Sequence, residues 1–222
     1  MLALDPPTAP CDEAQGLSFV CGAGHPEDLA RIPGTRWVVA SGFEAGSGIK
    51  LVDTERAKLR RWYMGDVSQL APDSAMYPEC PAPPDADAFN AQGMNLRSIG
   101  VAEHLLYVSN HGGREAIEVF RIRATSSETE PSLAWIGCVP MPEGMAANSV
   151  VSLDDGSILV TVLNRPGTQI ADCPGHNRFR ARPFSPRRSP RSPKKGHRLF
   201  GTKIGKRAVL PKLAAPQRRI PV

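Results

Sequence analysis

Three runs follow one another closely: Trp37-Val38-Val39-Ala40-Ser41-Gly42, Gly48-Ile49-Lys50-Leu51-Val52-Asp53 and Lys58-Leu59-Arg60-Arg61-Trp62-Tyr63. They are short and apolar-rich, and turn residues punctuate them, as expected of strands rather than helices. Just upstream, Asp28-Leu29-Ala30-Arg31-Ile32 runs into the turn Pro33-Gly34-Thr35-Arg36 and makes a fourth. The same order then returns. Asn95-Leu96-Arg97-Ser98-Ile99-Gly100 leads to Leu105-Leu106-Tyr107-Val108-Ser109-Asn110, then Ala116-Ile117-Glu118-Val119-Phe120-Arg121, then Leu133-Ala134-Trp135-Ile136-Gly137-Cys138-Val139. A third unit opens with Asn148-Ser149-Val150-Val151-Ser152-Leu153, turns at Asp154-Asp155-Gly156-Ser157 and returns through Ile158-Leu159-Val160-Thr161-Val162-Leu163. No apolar stripe of helical period persists for ten residues in this region, so an all-β fold is expected.

Four-stranded units in series are the pattern of a β-propeller, whose blades take about 40–45 residues each in the familiar forms. A β-sandwich uses similar strands but does not account for the repeated order. The repeats amount to about two and a half blades, where a closed ring needs at least about four. A partial ring leaves an apolar blade face and an open strand edge, so self-association through the exposed edge is expected. Residues 64–91, with Pro72, Pro78, Pro81, Pro83 and Pro84, read as a loop between units, either a functional lid or a surface excursion. The expected organisation is a loose lead-in over 1–20, a partial propeller over 21–167 and a basic tail over 168–222.

Charge divides the chain at the same place. Of 222 residues, 27 are Lys or Arg and 22 are Asp or Glu, and residues 173–222 hold 15 of the bases and none of the acids. Within the tail, Ser185-Pro186-Arg187-Arg188 and Ser192-Pro193-Lys194-Lys195 resemble the Ser-Pro-basic units of histone-type tails, which bind nucleic acid through phosphates and the minor groove. Two other readings stand beside this one. Arg, Pro, Ala and Gly are what GC-rich codons give out of frame, and the change of character falls in mid-blade. The tail also reads as a disordered linker. No apolar run approaches the roughly 18 residues of a membrane span, and Met1–Pro7 has no basic, then apolar, leader, so a cytoplasmic location is expected. The cysteines at 11, 21, 80, 138 and 173 form no Cys-x-x-Cys pair and read as small, semi-buried apolar residues.

Two positions attract chemical interest. Glu27 and Asn148 stand eleven and ten residues ahead of Val38 and Ile158, matching points of two units, and both offer hard oxygens of the kind calcium collects six to eight at a time. Five segments in order, Pro26-Glu27-Asp28-Leu29, Gln92-Gly93-Met94-Asn95-Leu96-Arg97, Tyr107-Val108-Ser109-Asn110-His111, Ala116-Ile117-Glu118-Val119-Phe120 and Asn148-Ser149-Val150-Val151, resemble the paraoxonase/arylesterase group, within the gluconolactonase (SMP-30-like) and strictosidine-synthase-like propellers. The resemblance covers residues 20–166.

It implies a six-bladed propeller, a catalytic calcium in its tunnel and hydrolysis of lactones or carboxylic esters. Glu27 and Asn148 match ligands of that calcium. Asp28 matches a carboxylate at a second, structural calcium, with the Met94 carbonyl beside it, and His111 matches one of a proton-transferring pair of histidines. The sequence departs from the family in three ways. Gln92 stands where the family usually has its other histidine, and glutamine is no base. Ser149 stands where an acidic partner is expected. Ligands from later blades have no counterpart. Little or no turnover is therefore expected of this chain. The alternative is a non-enzymatic propeller fragment whose tail contacts nucleic acid.

Overall fold

The structure is a computed structural model, and it describes residues 16, 17 and 19–164. The tail lies outside the described residues. Ten strands form: β1 Leu29–Arg31, β2 Trp37–Ser41, β3 Ile49–Asp53, β4 Lys58–Arg61, β5 Ala91–Ser98, β6 Glu103–Asn110, β7 Ala116–Arg123, β8 Ser132–Pro140, β9 Ala146–Ser152 and β10 Ile158–Asn164. Among the described residues the only helical element is a 3-10 turn, Val67–Gln69. The strands make three antiparallel sheets, ordered β1-β2-β3-β4, β5-β6-β7-β8 and β9-β10. Each four-stranded sheet is a simple meander, because every connection joins neighbours. Tight turns allow this: Gly34 at φ 71° and Gly156 at φ 87° take the left-handed backbone that a side chain disfavours.

Residue alternation then stacks the sheets. Trp37, Val39, Ile49 and Leu51 face one way from the first sheet and share a core with Leu106, Val108, Phe120, Ile122 and Trp135 of the second. Ile117, Val119, Ile136 and Val139 leave the second sheet on its opposite face and share another core with Ala147, Val150, Ile158 and Val160 of the third. The middle sheet is thus covered on both sides. This is why β7 reads as a nearly continuous apolar run, with Ala116–Phe120 all buried. Three packed sheets differ from the two layers of a sandwich.

At one end the first two sheets are clasped by polar groups. Arg36 contacts Asp53, Glu55 and Glu128, at 3.3, 3.1 and 2.5 Å, and Trp37 Nε1 donates to the Thr129 carbonyl at 3.1 Å. Inside the second sheet, Glu118 is fully buried and accepts from Arg114 Nε (2.9 Å) and Nη2 (2.8 Å), Trp135 Nε1 (2.9 Å) and Asn110 Nδ2 (3.2 Å). Four donors offset the cost of burying that carboxylate.

The segment between β4 and β5 is neither a detached excursion nor a free lid. Its backbone runs along the edge strand β8: Ala71 N–H donates to the Trp135 carbonyl at 2.9 Å, and Asp73 N–H to the Ile136 carbonyl at 2.8 Å. Tyr77 lies flat on Gly137, where a Cβ would stand 2.3 Å from its ring. Cys80 and Cys138 are joined by a disulfide, so reading these two as small apolar thiols was incorrect. A cover of this kind blunts an edge strand that would otherwise pair with another chain.

Candidate functional site

The lead-in to β1, the start of β5, the end of β6 and the start of β9 meet at one end of the stack. Gly93 shows how close the approach is. A Cβ there would lie 2.3 Å from the Asn148 carbonyl oxygen and 2.9 Å from the Ser149 Cα, so a glycine is what lets β9 lie against β5. Gly42 and Ala91 form an isolated bridge that joins the end of β2 to the start of β5. Gln92 and Met94 are therefore held between sheets one and three, and both are buried.

Side chains connect across this meeting point. Gln92 Nε2 donates to Glu27 Oε1 at 3.0 Å. Gln92 Oε1 lies 2.5 Å from His111 Nε2, and His111 Nδ1 lies 2.9 Å from Glu115 Oε2. The order is carboxylate, carboxamide, imidazole, carboxylate. Glu27 fixes which end of the carboxamide is which, so both ring nitrogens of His111 face oxygen acceptors. The edge of Phe43 meets the imidazole, with centroids 6.0 Å apart.

Asp28 is used differently. Its Oδ1 accepts from Leu29 N–H at 2.8 Å and its Oδ2 from Met94 N–H at 2.8 Å. Its own N–H donates to the Ser41 hydroxyl at 2.9 Å. The group of Met94 that meets Asp28 is its amide N–H. Asp28 pins the lead-in to the first strand of the second sheet.

The structure therefore brings Glu27, Asp28, Met94 and His111 to one place and lays the Asn148 backbone beside them. The sequence reading missed Glu115, the second partner of His111. Its signal was its position four residues after the histidine, across the short Gly112-Gly113 turn between β6 and β7. Gln92 was noted only as a lost histidine, not as the bridge between two site residues.

The donor set answers the calcium expectation in part. Glu27 and Asn148 are two hard-oxygen residues against the six to eight oxygens calcium takes. Both Asp28 oxygens already accept backbone amides. Among the described residues, no group of three or more His, Cys, Asp or Glu side chains is placed to hold a metal. Among the described residues, the donors at this place do not complete a calcium shell. Comparison with known protein families, curated proteins and solved structures returns no match to this chain. Among the described residues no helix is long and apolar enough to cross a membrane.

Proposed function

We propose that this chain carries about two and a half blades of a six-bladed β-propeller of the calcium-dependent lactonase/arylesterase type, and that it turns over little lactone or ester by itself. The observation that carries this reading is the convergence of Glu27, Gln92 and His111 at one end of three face-to-face sheets. In such a site the histidine orients a water toward the carbonyl, and Glu115 fixes the ring. Here Gln92 occupies the Nε2 edge of that ring. Gln92 therefore stands where a water at Nε2 would have to sit, which supports slow turnover.

Aryl acetates and simple lactones, assayed with and without millimolar calcium, test the reading. The expected result is a slow calcium-dependent component that disappears in Glu27→Gln. Hydrolysis with no component that depends on calcium or on Glu27 would sink it.

A second reading rests on the 15 bases and absence of acids in residues 173–222. Such a segment binds nucleic acid through phosphates, with affinity that falls steeply with salt. Removing 173–222 should abolish retention on DNA and leave any hydrolysis unchanged. Retention that persists without this segment would contradict the assignment.

A further inference from the structure

The first two sheets have four strands each and the third has two, so the outer edge of β10 has no strand beside it among the described residues. An apolar groove of about 340 Å³ lies between the margin of the middle sheet and β10. Ile117 and Val139 line it from the middle sheet, Ile158 and Val160 from β10, and Met141 from the loop after β8. The one acidic residue lining it is Glu79. The disulfide from the next residue, Cys80, to Cys138 ties Glu79 to β8. A second carboxylate, Glu143, directly follows the groove residue Pro142. Both Glu79 and Glu143 are exposed, and neither has a hydrogen bond or ion pair among the described residues. An apolar groove with unpaired carboxylates at its rim suits a peptide that carries an aromatic ring between positive charges.

The chain itself has such a segment. Residues 173–222 hold 15 Lys or Arg, no Asp or Glu, and the aromatic residues Phe179, Phe184 and Phe200. Only Phe179 has a base on both sides, in Arg178-Phe179-Arg180. We propose that Arg178-Phe179-Arg180 docks in this groove of its own chain, with the Phe179 ring among the apolar side chains and the two guanidinium groups at Glu79 and Glu143.

The length of chain permits it. Thirteen residues, 165–177, separate Asn164 at the end of β10 from Arg178. Extended, they span about 45 Å. The groove lies only about 20 Å back along β10, at Ile158 and Val160. Tethering raises the local concentration of the segment to about millimolar, so a contact that is weak between separate molecules suffices within one. The ring sets the position, and the exposed ion pairs add a contribution that salt screens. The contact needs neither calcium nor nucleic acid, so it stands apart from both readings above.

The test is photocrosslinking of the full chain, freed of nucleic acid, with benzoylphenylalanine in place of Phe179 and peptide mass spectrometry as the readout. The expected product joins position 179 to residues 139–142 or 158–160 of the same chain. Its yield should fall about fivefold in the double variant Glu79→Arg/Glu143→Arg, and by a similar factor in about 0.5 M salt. Both substituted positions are exposed, so the variant should keep the fold, which circular dichroism checks. Mixing isotope-labelled and unlabelled chains separates contact within one chain from contact between two. Crosslinks scattered over the molecule, groove crosslinks indifferent to both charge reversal and salt, or crosslinks between chains alone would each overturn the proposal.

Discussion

A few single residues decide whether the sheets can meet. Gly93 is one. The atom that a Cβ would strike is a carbonyl oxygen of β9, which cannot swing aside as a side-chain tip can. Gly93→Ala should cost about 3 kcal/mol, at the upper end for overpacking, and should separate the second and third sheets. Urea denaturation measures this; an unchanged midpoint would contradict the packing described. Gln92 is another. Gln92→Leu keeps the volume but removes the bridge between Glu27 and His111. It should lower stability by about 1 kcal/mol, because Glu27 and His111 can both turn to water. Gln92→His introduces a second imidazole beside His111 and, if the proposed function holds, should raise calcium-dependent hydrolysis. Little of this was legible in sequence. Glu27, Asp28 and His111 drew attention only through a resemblance, and the partner of each depends on how far β5, β6 and the lead-in approach one another.

At the scale of elements, sequence and structure agree closely. The runs read as strands fall on β1–β10 within a few residues, and the repeated order became two meanders and a hairpin. Alternation and turn residues are local signals, which is why they sufficed. The segment between β4 and β5 was illegible for the opposite reason. Its path is set by contacts with β8, about sixty residues on, and by the bond between Cys80 and Cys138, 58 residues apart. Closing a loop of that size in the unfolded chain contributes about 4 kcal/mol in the chain-entropy picture. Reduction should therefore lower the melting temperature markedly, and a Cys80→Ser/Cys138→Ser double variant should melt well below the oxidised wild type. Equal melting with and without reductant would contradict the staple. Strand β6 carries an acid-sensitive point as well. His104 is 2% exposed, its Nδ1 lies 2.9 Å from the Ser98 hydroxyl, and burial pushes its imidazole below the ordinary 6.5. The unfolded chain then binds more protons at this residue than the native one between the two values. Stability should fall as pH drops below about 6.5 and level off once pH is below the folded value. His104→Asn should flatten that part of the pH profile, and a profile identical to wild type would remove His104 as the cause.

For the whole molecule, the decisive feature is that the middle sheet is buried on both faces while the gathered polar groups lie at one end of the stack. Two cores between the three sheets gather the buried apolar side chains, and the charge asymmetry of the chain belongs to a segment beyond them. What could not be read from the sequence at this scale was how complete the site would be, because oxygen count is a property of assembled strands. The central claim is that the site gathers only part of a calcium shell, and a calcium titration followed by thermal unfolding tests it most directly. A partial shell implies a dissociation constant no tighter than about 1 mM, so 1 mM calcium should stabilise by about 0.4 kcal/mol and raise the melting temperature by only about 1–2 °C. A complete shell with micromolar affinity would give about 4 kcal/mol at the same concentration, and a saturable rise of about 8–16 °C. The account predicts the first result; the second would contradict it.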